Sequence, residues 1–241
     1  MADTHRNNWS DPDVEAHWDK VASVYVKENN KVKKAHDQRF IETVRHLDLT
    51  PGCRILNITS RDAEANDYIL KYEPSAVVVN AEISAGLIKV AATLRPEAVQ
   101  VKISAYSDLP FDGYEFNRIV CLETLEHVED PVAFLKELYR VSKPDALMVL
   151  SCPPATSEIP YQIFTFLFGG HGEGPHRFLS SKEVKTLLQQ TGWKLKMHKG
   201  SVLLPVGPAA VQNLAEQLIN RFQGTFIAEM GIRQFYVCTK Y

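Results

Sequence analysis

Residues 101–153, VKISAYSDLPFDGYEFNRIVCLETLEHVEDPVAFLKELYRVSKPDALMVLSCP, contain one full beat of an alternating pattern. The run NRIVCL at 117–122 is short, apolar and β-branched enough to predict a strand, and ALMVLSC at 146–152 predicts another. Between them, residues 131–142 carry apolar positions at helical spacing. A strand, a helix of about ten residues and a second strand make a βαβ unit, whose right-handed crossover places the two strands in parallel.

The same beat runs outward in both directions. Upstream lie predicted strands at 54–58 (RILNI), 76–81 (AVVVNA) and 99–103 (VQVKI), with helices at 62–73 and 84–94; Ser84 caps the second helix and Pro96 closes it. Residues 11–29 and 31–47 predict two N-terminal helices, with Asp11 and Pro12 as cap and first turn. Downstream, residues 155–179 break the rhythm and are long for a plain connection, so they predict a segment covering a site. A helix at 180–191, a strand at 193–199, a helix at 208–222 and a strand at 235–240 complete the chain. The expected fold is α/β: a doubly wound, Rossmann-like, mostly parallel seven-stranded sheet with helices on both faces. A single domain over 1–241 divides into N-terminal helices (1–50), a cofactor-binding core (51–152) and cap segments (153–179 and 200–232).

Composition bounds the chemistry. The 241 residues carry 27 basic and 29 acidic side chains, a formal net charge of −2, which disfavours a partner with a phosphate backbone. The four cysteines, Cys53, Cys121, Cys152 and Cys238, are widely spaced and without a C-x-x-C pair, as expected of buried free thiols in a reducing compartment. The N-terminus lacks the apolar stretch of a signal peptide, and no run reaches the roughly 18 apolar residues of a membrane span. Together these predict a cytoplasmic protein with a small-molecule substrate, no nucleic-acid partner and no membrane span.

Ligands of open parallel sheets bind beyond the carboxyl ends of the strands, where strand order reverses. That rule selects the loops at 59–63, 82–84, 104–108 and 123–127. An acid ending the second strand can accept hydrogen bonds from both hydroxyls of a ribose, and Glu82 holds that place.

The segment from 101 to 153 resembles the class I S-adenosylmethionine-dependent methyltransferases, in the small-molecule branch that methylates ubiquinone and menaquinone precursors (methyltransferase type 11-like). The resemblance is carried by Asp108-Leu109-Pro110-Phe111, Phe116, Leu125-Glu126-His127-Val128, Asp130-Pro131 and Arg140-Val141-x-Lys143-Pro144, and by PHRFLSSKEVKTLLQQTGW at 175–193. It covers roughly residues 18–200. It implies S-adenosyl-L-methionine as cofactor and methyl transfer to a small molecule, with an apolar acceptor compatible. The cofactor-binding residues it implies are Asn57, Thr59, Ser60, Arg61, Glu82, Ile83, Tyr106, Ser107 and Glu123. Departures fall on the family's cofactor positions: Thr59, Arg61 and Ala63 stand where the family's first motif has glycines, Ala105 where it has an adenine-contacting acid, and Asn117 where it has an aspartate. These bear directly on cofactor affinity. They leave open a rival reading as a catalytically inactive methyltransferase-fold scaffold, and a third in which Arg61 holds an anionic ligand.

Other candidates come from residue type and place. His127 titrates near neutrality and could serve as general base or orient a substrate, with a structural role beside it. Tyr25, on the N-terminal helix the family folds over its cofactor, could close over the reacting methyl group. The Gly-rich run 169–176 holds His171 and His176, read with Phe164 as substrate-contacting residues of a lid; H-x-E-x-x-H on a loop matches no metal site, so no metal is expected. The aromatics Tyr161, Phe164, Phe166 and Phe168 suit cap packing, a hydrophobic substrate wall, or a surface for a homodimer or protein partner.

Overall fold

The computed structural model describes residues 9–158, 174–202 and 208–241. Helices α1 (Asp11–Lys31) and α2 (Lys33–His46) lead into β1 (Arg54–Ile58), α3 (Ala65–Tyr72), β2 (Val77–Glu82), α4 (Ala85–Leu94) and β3 (Val99–Lys102). After them come β4 (Phe116–Leu122), α5 (Pro131–Val141), β5 (Ser142–Cys152), α6 (Ser181–Gln190), β6 (Lys194–Ser201), α7 (Ala209–Arg221), the short α8 (Phe226–Glu229) and β7 (Arg233–Thr239). One seven-stranded sheet has the order β3-β2-β1-β4-β5-β7-β6. The first five strands of that order pair in parallel, and β7 runs antiparallel to both of its neighbours. The fold class expected from the alternation is the one observed, and order reverses between β1 and β4.

Strand periodicity sorts the apolar side chains into two layers. Leu56, Ile58, Val79, Ala81, Ile119, Cys121, Met148 and Leu150 face a core shared with Trp18 of α1, Leu87 of α4, Phe134 of α5 and Val184 of α6. Their alternates Ile55, Val78, Val120, Leu122, Val149 and Phe235 face a second core with Phe40 and Val44 of α2 and Ile69 of α3. Burial on both faces explains why these strands read as continuous apolar runs.

Two local expectations are corrected. The N-cap of α1 is Ser10, whose backbone N–H and hydroxyl donate to the Asp13 carboxylate at 2.7 and 2.8 Å. Asp11 instead turns its carboxylate onto the Tyr106 backbone N–H at 2.8 Å, which makes it a strap across the sheet edge rather than a cap. Strand β5 starts at Ser142, four residues earlier than the apolar run suggests, because Ser142 pairs with Phe116 ahead of an irregularity in the β4 register. Of the irregular segment, residues 159–173 lie outside those described, and with them Phe164 and His171. All four cysteines are free and buried, and no helix among the described residues is long and apolar enough to cross a membrane.

Candidate functional site

The loop after β1 turns on three non-glycine residues in the left-handed region: Thr59 at φ 57°, Arg61 at 55° and Ala63 at 61°. These are the positions where the resemblance expects glycine. The backbone path of a glycine-rich turn is therefore kept without glycine, at about 1–2 kcal/mol of strain per residue. Ser60 N–H donates to Ala81 carbonyl at 3.1 Å and Ala63 N–H to Ser60 carbonyl at 2.8 Å, which pins the turn against β2. Strain held at a strand end over the switch point marks a site rather than a defect.

Glu82 ends β2 directly beside this turn. Its two oxygens accept from Arg61 N–H at 2.7 Å and Ser84 N–H at 2.9 Å, and the side chain is 0% exposed. Burial pushes its carboxyl above the ordinary range, while the Arg61 charge and the backbone donors oppose that shift. The Arg61 side chain is also buried, its guanidinium carbon over the Trp18 ring and 3.4 Å from its centroid. Trp18 meets the rings of His127 and Tyr25 edge-on at 5.6 and 6.1 Å. His127 is held well below its usual range, first by burial and then by the Arg61 charge, so it is neutral near pH 7. Its Nδ1 lies 2.8 Å from the Pro175 carbonyl, which can only accept, so Nδ1 carries the proton.

Helix α1 is fastened over this cluster. Asp19 Oδ1 accepts from Ser84 Oγ at 2.6 Å and from Gly86 N–H at 2.8 Å, and Trp9 Nε1 donates to the His127 carbonyl at 2.9 Å. Gly86 lets α1 approach closely there, since a Cβ would sit 3.0 Å from Ala22 Cβ and 3.2 Å from Asp19 Oδ1. Tyr106 is buried below the loop and its phenol is pushed up by that burial. The Tyr106 hydroxyl and the Thr59 side chain pair with each other, whereas Ser60 Oγ and Arg61 Nη1 are buried without a hydrogen-bond partner among the described residues. Two unsatisfied polar groups on one loop are costly, at about 1–3 kcal/mol each, unless a ligand pairs them.

The structure thus brings Thr59, Ser60, Arg61, Glu82, Tyr106, Tyr25 and His127 to one end of the sheet, and Ile83 packs in the core beside them. It separates others. Asn57 spends its amide on Asn80 Oδ1 at 2.8 Å inside the sheet, and Ser107 is exposed. Glu123, at φ 50°, belongs to a neighbouring polar group in which Ser151 Oγ and Arg233 Nε donate to it at 2.6 and 3.0 Å. His176 lies 6.4 Å ring to ring from His127, with its Nδ1 2.7 Å from the Gly174 carbonyl. Sequence reasoning missed Arg39, which donates to the Tyr25 hydroxyl at 3.3 Å, and the clasps of Asp11 and Asp19. No spacing along the chain signals the two clasps, made across 95 and 65 residues.

A parallel sheet with this strand order, a strained turn after β1 and a buried acid ending β2 define a class I methyltransferase fold. The methyltransferase domain family matches residues 61–150, which include Arg61, Glu82 and the Leu125–Val128 stretch. Over that stretch, somewhat more than a third of its length, the chain is similar to the methyltransferase domain family. It is 29% identical over 150 residues to a demethylmenaquinone methyltransferase of Clavibacter sepedonicus, a match covering 61% of this chain and 60% of that one. It is 26% identical over 163 residues to a ubiquinone/menaquinone biosynthesis C-methyltransferase of Desulfotalea psychrophila, covering 66% of each. The match thus spans just under two thirds of either relative's length. Among solved structures, a complex between the Haloferax volcanii Trm112 methyltransferase activator and a methyltransferase gives a TM-score of 0.71 at 14% identity, covering 94% of this chain and 96% of that one. The [4+2]-cyclase SpnF gives 0.68 at 12% identity, covering 98% and 97%. At those identities the likeness is one of fold.

Proposed function

We propose that this protein transfers the methyl group of S-adenosylmethionine to a small, apolar acceptor. The observation that carries the reading is Glu82 at the carboxyl end of β2, hydrogen-bonded to the turn after β1 within the stretch that matches the methyltransferase domain. The donor set fits the cofactor's chemistry: Glu82 for the ribose hydroxyls, Thr59 and Ser60 for the amino-acid end, Tyr106 for the base. The side-chain arrangement does not yet admit it, because Glu82 is sealed and the Arg61 guanidinium lies against Trp18.

The cofactor would supply an electrophilic methyl group on a sulfonium. The chain's part is then to orient two reactants and exclude water, the contribution that proximity makes to a displacement. Trp18 and Tyr25 supply an aromatic face over the site. Neutral His127, with Nδ1 protonated, presents Nε2 as the acceptor for a proton from a hydroxylated acceptor. The names of the two relatives support a quinone-class acceptor.

Titration calorimetry of the full chain with S-adenosylmethionine and S-adenosylhomocysteine tests the reading. Transfer of labelled methyl to a panel of demethylated quinols then identifies the acceptor class. Saturable binding with transfer to a quinol is the expected result. No heat with either ligand at millimolar concentration would refute the proposal.

A further inference from the structure

We propose that Arg61 is the resident occupant of the cofactor seat, so that an adenosyl ligand binds by displacing the Arg61 side chain and this residue sets the site's affinity. The inference rests on the cofactor reading above and deepens it.

Four observations converge on the side chain. The left-handed backbone at φ 55° aims it inward, and it is 7% exposed despite standing in a loop. Its guanidinium stacks on Trp18 at 3.4 Å. Its backbone N–H holds Glu82 at 2.7 Å, and its guanidinium lies over the Trp18 ring that also meets His127 edge-on. Glu82 is 0% exposed, so ribose hydroxyls cannot reach a carboxylate oxygen until that cover moves.

The contacts that hold Arg61 are those of a releasable group. Nη1 is buried with no hydrogen-bond partner among the described residues, whereas a permanent structural arginine would have its donors satisfied. The guanidinium is held by the Trp18 face and by the charge of Glu82, and a ligand ring or ribose can compete for that face. Helix α1 need not unfold for the exchange, because Trp18 stays anchored through Asp19 and Asp11. Charge adds discrimination. A sulfonium cannot share a buried, aromatic-faced seat with a guanidinium without like-charge repulsion, so the exchange is obligatory.

The test compares the full-length protein with Arg61→Gly, a residue at ease at φ 55°, and with Arg61→Ala as a second variant. Calorimetric titration with S-adenosylmethionine and S-adenosylhomocysteine should show both variants binding about tenfold tighter or more, the scale of a desolvated cation–π contact converted to affinity. Arg61→Lys, which keeps the charge and loses the planar stack, should fall between them and the parent. Parent binding with equal or weaker binding by Arg61→Gly overturns the proposal and leaves the cofactor reading standing. Absence of binding by all four proteins at millimolar ligand removes the cofactor reading and this proposal with it.

Discussion

Replacing Ala63 by glycine tests whether the turn after β1 stores strain. Ala63 is fully buried at φ 61°, in a conformation costing an L-residue about 1–2 kcal/mol. Glycine relieves that cost. Against the relief stand about 0.5–1 kcal/mol for the freedom glycine gains in the unfolded chain and about 0.8 kcal/mol for one lost buried methyl. The terms nearly cancel, so Ala63→Gly should leave stability within about 0.5 kcal/mol of the parent. Ala91, equally buried in α4, is the matched control. Ala91→Gly has no strain to relieve and should cost about 1.5–2 kcal/mol from helix propensity and lost burial. Urea denaturation at equilibrium reads both, and thermal melting should separate the two variants by about 4 °C for a domain this size. If Ala63→Gly destabilises as much as Ala91→Gly, the left-handed turn carries no strain and the reasoning about this loop fails.

Glu82→Ala should cost about 2–5 kcal/mol by urea denaturation, because the Arg61 and Ser84 N–H groups lose their acceptors in a sealed interior. Glu82→Gln, which retains one acceptor oxygen, should cost about half as much and is the variant to use in binding experiments. Asp19→Ala should destabilise by about 1–3 kcal/mol and raise amide exchange across α1, since it releases Ser84 Oγ and Gly86 N–H. Unchanged exchange there would show that α1 is held by packing alone. His127 has a depressed folded pKa, so below about pH 6.5 the unfolded chain takes up a proton that the folded chain refuses. Its contribution is intact at neutral pH and drains away on acidification. Relative to His127→Gln, the parent should lose about 1.4 kcal/mol per pH unit below about 6.5, until the folded pKa is reached. A constant difference between pH 7.5 and 5.5 would place His127 in contact with solvent.

Helix and strand boundaries were readable because periodicity is local. The apolar runs at 76–81, 117–122 and 146–152 needed no knowledge of their partners to identify buried parallel strands. The place of Glu82 was equally legible, since the strand-end rule depends only on order along the chain. Departures from glycine at 59, 61 and 63 were visible too, yet their consequence was not. The substitutions bear on cofactor affinity by residue type alone; in the structure the backbone is left-handed at all three positions, and the Arg61 side chain lies over Trp18.

The sequence by itself therefore determined the alternation of elements, the two-sided burial of the sheet, the switch point and the identity of the acid beside it. Only the tertiary structure decided that Arg61 lies on Trp18 instead of in solvent, that Glu82 is sealed, and that Asp11 and Asp19 bind α1 across the site. Periodicity and turn chemistry act over a few residues, whereas these contacts join groups 21 to 95 positions apart. Their energies depend on desolvation and on which groups share a closed space, and both are properties of the packed molecule.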